Sequence, residues 1–280
     1  MNIETTHKSK SIPLFTKEER REHWQLEMSS KSLKKWSKLE ALLAFVGNAN
    51  GLKCLEIGCD RGVTSFYLRK LGGSWISADS EGVNTHATRA LVGNRVVQID
   101  GTKLGFASKC MDRVVAIDCL EHVVDDAGLM REILRVLKDD GTAVISVPQT
   151  GPFFMLHRLA SLCGLKPSFY GHVREGYSPK HLRELIESSG MRVIGHSYCS
   201  RFITEAIELS VNVAYLFLLN KKGTAGIAPA SESALKKHGF SFRLFSAIYP
   251  FLWLMSRLDG PLFWSKGYIL ILKAVKESAK

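Results

Sequence analysis

Residues 54–62 read CLEIGCDRG, and this stretch constrains the chain more than any other. An apolar run (Leu52, Cys54, Leu55, Ile57) stops at Gly58-Cys59-Asp60-Arg61-Gly62, and a helix-like stretch follows at once over 63–71. The pattern predicts a strand, a tight turn and a helix. Glycine lets the backbone approach a ligand there, and the first helical turn leaves N–H groups without intrahelical partners. Glu56 lies two residues before the first glycine. A carboxylate at that place sits badly beside a dinucleotide pyrophosphate but suits a ligand whose nearby end carries an ammonium group.

S-adenosyl-L-methionine (SAM) is such a ligand, and at this turn the chain resembles the class I SAM-dependent methyltransferases, in particular the branch of the ubiquinone and menaquinone methyltransferases (methyltransferase type 11 domain). The resemblance implies an α/β fold: a Rossmann-like sheet of seven mostly parallel strands flanked by helices, with the last strand antiparallel. It also implies SAM as cofactor, with Glu56, Gly58, Cys59, Asp60 and Gly62 around it. The family's turn usually reads acidic-x-Gly-x-Gly-x-Gly, and here Asp60 replaces the middle glycine. Aspartate tolerates a left-handed backbone better than most residues. Its carboxylate either adds an acceptor for the methionine ammonium or crowds and repels the cofactor.

Two further acids follow at strand ends. Asp79 lies 21 residues beyond Gly58, after a short strand over 74–78. A carboxylate there can accept from both ribose hydroxyls, with Ser80 beside it; the alternative is a helix cap, because Ser80-Glu81 opens the next helix. A third strand over 95–99 ends in Asp100-Gly101, where the resemblance implies an acceptor for the adenine amino group, although Asp100 can also simply begin a turn. The next segment, MDRVVAIDCLEHV, gives a buried strand and then Asp118-Cys119-Leu120-Glu121-His122, similar to the family's fourth-strand motif, with a helix expected through Leu137. Asp118 is placed with the cofactor. His122 is the first candidate for the base that deprotonates an acceptor and His172 the second; His122 can instead cap the following helix. Asp118, Glu121 and His122 have the spacing of a metal site in some family members, but they lack a defined further ligand, and no metal is expected. The segment LKDDGTAVISVP predicts a turn at Asp139-Asp140-Gly141 and a fifth strand.

Beyond an apolar stretch over 152–170, GHVREGYSPKHLRELIESSGMRVI matches the family's His-x-Arg…Tyr-Ser segment, a helix and a sixth strand. The resemblance sets this segment across the mouth of the site, so Arg174 and Tyr177 are candidate substrate contacts, Tyr177 being equally a packing residue.

The formal charge of +11 is uneven: residues 1–150 hold 21 Lys+Arg against 19 Asp+Glu, and residues 151–280 hold 17 against 8. The cofactor half is nearly neutral and the other half is basic, which attracts nucleic acid, anionic lipid or phosphorylated substrates. The six cysteines show no metal spacing and read as reduced, mostly buried residues of a cytoplasmic protein. No signal peptide and no membrane span is expected. The predicted domains are a loose arm over 1–28, the SAM-binding domain over 29–200, a helical apolar and basic insertion over 201–266, and a final strand with its tail over 267–280. A leading helix capped by Ser29 or Ser30 opens the domain. In the insertion, two apolar stretches over 203–219 and 240–264 flank Lys221, Lys222, Lys236, Lys237 and His238, a composition suited to a membrane interface, a cap over the cleft or a dimer contact.

The expected function is SAM-dependent methyl transfer to a hydroxyl of a lipid-like, lipid-linked or glycan-type small molecule, at the inner face of a membrane. An RNA methyltransferase and a SAM-binding or partner-binding protein without activity are the alternatives. Nucleic acid is the less favoured partner, because no RNA-binding module accompanies the basic half. The absence of an Asn/Asp-Pro-Pro-Tyr/Phe motif after the fourth strand argues against base-amine methylation. The sequence does not set the oligomeric state.

Overall fold

The computed structural model describes residue 19 and residues 23–150, 172–219, 239–262 and 266–277. The apolar stretch over 152–170, the lysine-bearing link over 220–238, and most of the N-terminal arm lie outside the described residues. The chain runs through α1 (Trp24–Ser29), α2 (Leu33–Val46), β1 (Lys53–Ile57), α3 (Val63–Lys70), β2 (Ser74–Asp79), α4 (Gly82–Val92), β3 (Val96–Gln98) and β4 (Met111–Ile117). It continues through α5 (Asp126–Val136), β5 (Leu137–Pro148), α6 (Pro179–Ser188), β6 (Met191–Cys199), α7 (Phe202–Leu219), α8 (Gly239–Ser256) and β7 (Ile269–Lys276).

The seven strands form one sheet in the order β3-β2-β1-β4-β5-β7-β6, with β7 antiparallel to both β5 and β6. This is the expected class I architecture. Strand alternation sends successive side chains to opposite faces, so each face has its own core. On one, Val114, Ala116, Ala143 and Ile145 pack with Leu129, Met130 and Ile133 of α5 and Leu182 and Ile186 of α6. On the other, Cys54, Trp75, Val115 and Val144 pack with Leu39, Leu42 and Val46 of α2, Tyr67 and Leu68 of α3, and Leu91 of α4. The strand order reverses between β1 and β4, which opens a crevice at their carboxyl ends.

Local details depart from the expectation. Residues 24–29 are helical rather than part of a loose arm, because Leu26 is buried in the second core. Ser32, not Ser29 or Ser30, caps α2: its hydroxyl accepts from the Lys35 amide at 3.3 Å, while Ser29 ends α1. The helix expected after β4 is preceded by a separate 3-10 turn, Leu120–His122, and ends at Val136. Asp139-Asp140-Gly141 lies within β5 as a register irregularity, since Met111 pairs with Leu137 and Arg113 next pairs with Thr142.

Candidate active site

The turn after β1 is shaped first by the chain itself. Gly58 (φ 83°) and Gly62 (φ 86°) both take left-handed backbone; a Cβ on Gly58 would lie 2.2 Å from the Ile117 carbonyl oxygen, and one on Gly62 would lie 2.9 Å from the Thr88 Cα. Close approach to β4 and α4 therefore requires both glycines. Asp60 is also left-handed (φ 46°), so the substitution of the usual glycine is accommodated by a residue type that accepts this conformation. Its carboxylate is exposed toward Lys35, 3.6 Å away, while its amide donates to Asp79 Oδ2 at 2.9 Å. Cys59 is buried and its sulfur accepts from the Thr88 hydroxyl at 3.3 Å.

Glu56 is fully buried in β1. Its Oε2 accepts from the hydroxyls of Ser65 at 2.5 Å and Ser77 at 2.6 Å, whereas Oε1 has no hydrogen-bond partner. Burial outweighs the two hydroxyls and pushes the carboxyl up to about 7. Asp79, at the end of β2, is already engaged: Oδ2 takes the Asp60 amide, and Oδ1 takes the Glu81 amide at 3.0 Å and the Asn84 side chain at 3.1 Å. It thus anchors both the turn and the start of α4, and it retains acceptor capacity for a further donor. Ser80, Gln98, Ile99, Asp100 and Gly101 line an open depression of about 540 Å³. Asp100 is exposed and its carbonyl accepts from the Lys103 amide at 2.6 Å.

Beyond β4, Asp118 (φ 43°) forms an ion pair with Lys38 of α2, and Ser146 donates to its Oδ1 at 3.3 Å. Burial opposes ionisation of Asp118, but the Lys38 ammonium more than offsets it and holds the carboxyl below its ordinary value. Glu121 is fully buried and neither of its carboxylate oxygens has a hydrogen-bond partner; burial first, and Asp118 second, push it up to about 8. The Val173 amide donates to the Glu121 carbonyl at 2.9 Å, which brings His172 to His122 with ring centroids 4.7 Å apart, edge to face. One ligand atom from each of Glu121, His122 and His172 falls within 4.8 Å of the others, a set able to hold a divalent cation. Asp118 is not part of this set, being paired with Lys38; His172, from another part of the chain, stands in it instead.

Arg174 and Tyr177 hold this arrangement together. The guanidinium donates to Val123 and Val124 carbonyls at 3.0 Å each, to the Tyr177 hydroxyl at 2.5 Å, and to Asp126. Tyr177 is fully buried, and its hydroxyl donates to Asp126 at 2.7 Å, with Leu120 O at 3.2 Å. Both side chains are thus committed to clamping residues 172–177 onto the loop after β4.

Residues 55–145 match a family model described as a methyltransferase domain. They form a class I SAM-dependent methyltransferase domain. The domain resembles the ubiquinone branch: the mitochondrial ubiquinone biosynthesis O-methyltransferase of Bos taurus is 28% identical over 156 residues, 51% of this chain and 42% of that protein. An uncharacterised methyltransferase of Mycobacterium sp. (strain KMS) is 32% identical over 105 residues, 37% of this chain and 42% of that protein. The matches therefore span less than half the length of these relatives. A SAM-dependent methyltransferase from Mesorhizobium loti has the same fold, with a TM-score of 0.51 at 16% identity, covering 84% of this chain and 95% of its own.

The cofactor of this methyltransferase domain is SAM. The residues present fit it. Glu56 Oε1 is a buried acceptor lacking a donor on the strand that leads into the turn, and the depression lined by Ser80, Gln98, Ile99, Asp100 and Gly101 lies at the ends of β2 and β3. Sequence reasoning missed Lys38, which carries no local signal that separates it from the other lysines of α2.

Proposed function

We propose that the protein is a SAM-dependent O-methyltransferase acting on a hydroxyl of a lipid-like or lipid-linked small molecule. When bound, SAM supplies an activated sulfonium methyl group. In this reading Glu56 receives the methionine ammonium on Oε1, Asp79 the ribose hydroxyls, and Asp100 the adenine amino group, with Gly58 to Gly62 as the backbone cradle. The chain's main task is to align the acceptor oxygen and exclude water, which can supply roughly 7–11 kcal/mol.

The observation that carries the hydroxyl reading is the pair His122 and His172, held edge to face next to the buried Glu121 carboxylate just past the end of β4. An imidazole there can take the proton that a hydroxyl must lose. The O-methyltransferase relative supports the same acceptor atom. A second reading rests on the same side chains: a divalent cation held by Glu121, His122 and His172 would bind the acceptor oxygen and make its proton easier to remove.

The test is methyl transfer from SAM to a panel of prenylated phenols, catechols and lipid hydroxyls, read by mass spectrometry, alongside SAM binding by calorimetry. His122→Ala should cut turnover by about 100-fold or more while leaving SAM affinity within about threefold. Loss of wild-type turnover on chelation, restored by added Mg²⁺ or Zn²⁺, selects the cation reading. Transfer to RNA alone, or to amines alone, sinks the proposal.

A further inference from the structure

The helical hairpin between β6 and β7 sorts its side chains in an unusual way. Its described acids turn inward. Glu205 is buried, pairing with Lys34 at 2.8 Å and accepting from the Ser200 hydroxyl at 2.7 Å. Glu208 accepts from the Ser32 hydroxyl at 3.0 Å and the Lys34 amide at 3.1 Å, and so caps α2. Asp259 accepts from the Ile203 and Thr204 amides at 2.8 and 3.0 Å and caps α7.

One row of apolar residues along α8 and the turn after it faces outward instead. Leu244, Ile248, Phe251, Leu254 and Leu258 recur at intervals of four, three, three and four residues, which lays one stripe along the helix. They are 61%, 49%, 64%, 61% and 49% exposed, more apolar surface than a solvated helix ordinarily presents. Exposed Arg243 and Arg257 lie along the same helix and its following turn; Arg257 stands over the Trp253 ring at 5.2 Å, and Lys31 over Tyr249 at 4.9 Å. The link over 220–238 adds Lys221, Lys222, Lys236 and Lys237 in sequence against a single acid, Glu232. Among the described residues no helix is long and apolar enough to cross a membrane.

We propose that the outer face of α8 docks this protein on an anionic membrane surface, its leucine and phenylalanine stripe entering the acyl boundary and Arg243 and Arg257 meeting the headgroups. Charge complementarity selects this occupant. An anionic leaflet answers both features at once: Arg243 and Arg257 are left outside beside the apolar stripe, and every described acid of the hairpin is engaged within the fold, the distribution an interfacial helix requires. Trp253, exposed and beside Arg257, is a residue type suited to the headgroup level. The inference deepens the lipid-acceptor reading and rests on it for its purpose, but not for its test.

The test is flotation of the full chain with vesicles of phosphatidylcholine alone and of phosphatidylcholine with phosphatidylglycerol. The wild type should float with the anionic vesicles only, and less as salt rises. The double variant Phe251→Ser, Leu254→Ser should lose partitioning by at least about tenfold, since each lost side chain removes apolar burial worth roughly that factor. The variant Arg243→Glu, Arg257→Glu should lose binding to the anionic vesicles with the apolar stripe intact. Both variants should keep wild-type melting temperature and SAM affinity. The proposal is overturned if the wild type does not float, if both variants float like wild type, or if the wild type is a non-floating dimer that the Phe251→Ser, Leu254→Ser change turns into a monomer. Intact flotation without SAM binding would count against the methyltransferase reading alone.

Discussion

Glu56 shows how one carboxylate can link cofactor capture to pH. Its folded value of about 7 lies above the ordinary 4.5, so the folded apo-protein holds a proton there that the unfolded chain releases earlier. The contribution to stability is therefore most favourable below about pH 4.5 and is lost as pH rises through 7. An ammonium beside Oε1 reverses the preference by favouring the ionised form. SAM affinity should accordingly rise between about pH 5 and 7 with release of a proton, and level off above that. Calorimetry in two buffers of different ionisation enthalpy would detect this proton. Glu56→Gln should abolish the pH dependence, weaken SAM binding about 10- to 100-fold at pH 8, and leave the apo-protein no less stable there, because a buried charge has been removed. Unchanged SAM affinity in this variant would exclude the ammonium role. The acid at position 56 was legible in the sequence because it stands at a fixed distance from the turn. That Ser65 and Ser77 would occupy one of its oxygens was not, since those contacts depend on α3 and β2 folding back across it.

At the scale of elements, the stretch over 172–177 gives the clearest lesson. The sequence marked His172, Arg174 and Tyr177 together, as residues near a substrate. The structure divides them: Arg174 and Tyr177 are anchored to Asp126 and to the carbonyls of Leu120, Val123 and Val124, and His172 is thereby brought to His122. A motif fixes which residues travel together, whereas burial decides which of them face a ligand; Tyr177, at 0% exposure, is decided by its surroundings. Tyr177→Phe removes a buried hydroxyl from Asp126 and Arg174 and should cost about 1–3 kcal/mol in urea unfolding. Because the clamp sets the position of His172 rather than the SAM cradle, the same change should lower acceptor turnover with little effect on SAM affinity. Wild-type stability in this variant would remove the clamp from the account. Lys38 shows the opposite limit of sequence reading. Nothing local distinguishes it from the lysines at 31, 34 and 35, and only the packing of α2 against the sheet brings it to Asp118.

For the whole molecule, the question is whether the hairpin over 201–266 belongs to the catalytic sheet or is mounted on it. The two chain ends that bear it are adjacent: Cys199 pairs with Ile269, the Tyr268 amide donates to the Ser200 carbonyl at 2.8 Å, and a Cβ on Gly267 would lie 2.3 Å from the Cys199 carbonyl oxygen. A short turn could therefore join β6 to β7 without disturbing the antiparallel register. Removal does affect α2, which would lose the Glu208 cap and the Lys34 pairing with Glu205. One lost cap costs about 1 kcal/mol, and in a domain of this size each kcal/mol corresponds to roughly 2–4 °C of melting temperature. A chain with residues 201–266 replaced by a Gly-containing turn should keep its far-ultraviolet spectrum per sheet and helix retained, melt a few degrees lower, and bind SAM within about threefold of wild type. It should no longer float with anionic vesicles, and turnover of a lipid-linked acceptor should fall far more than turnover of its water-soluble headgroup. If SAM binding is lost along with the hairpin, then α2 and its Lys38–Asp118 contact depend on α7, and the insertion is a structural part of the cofactor site rather than an addition to it.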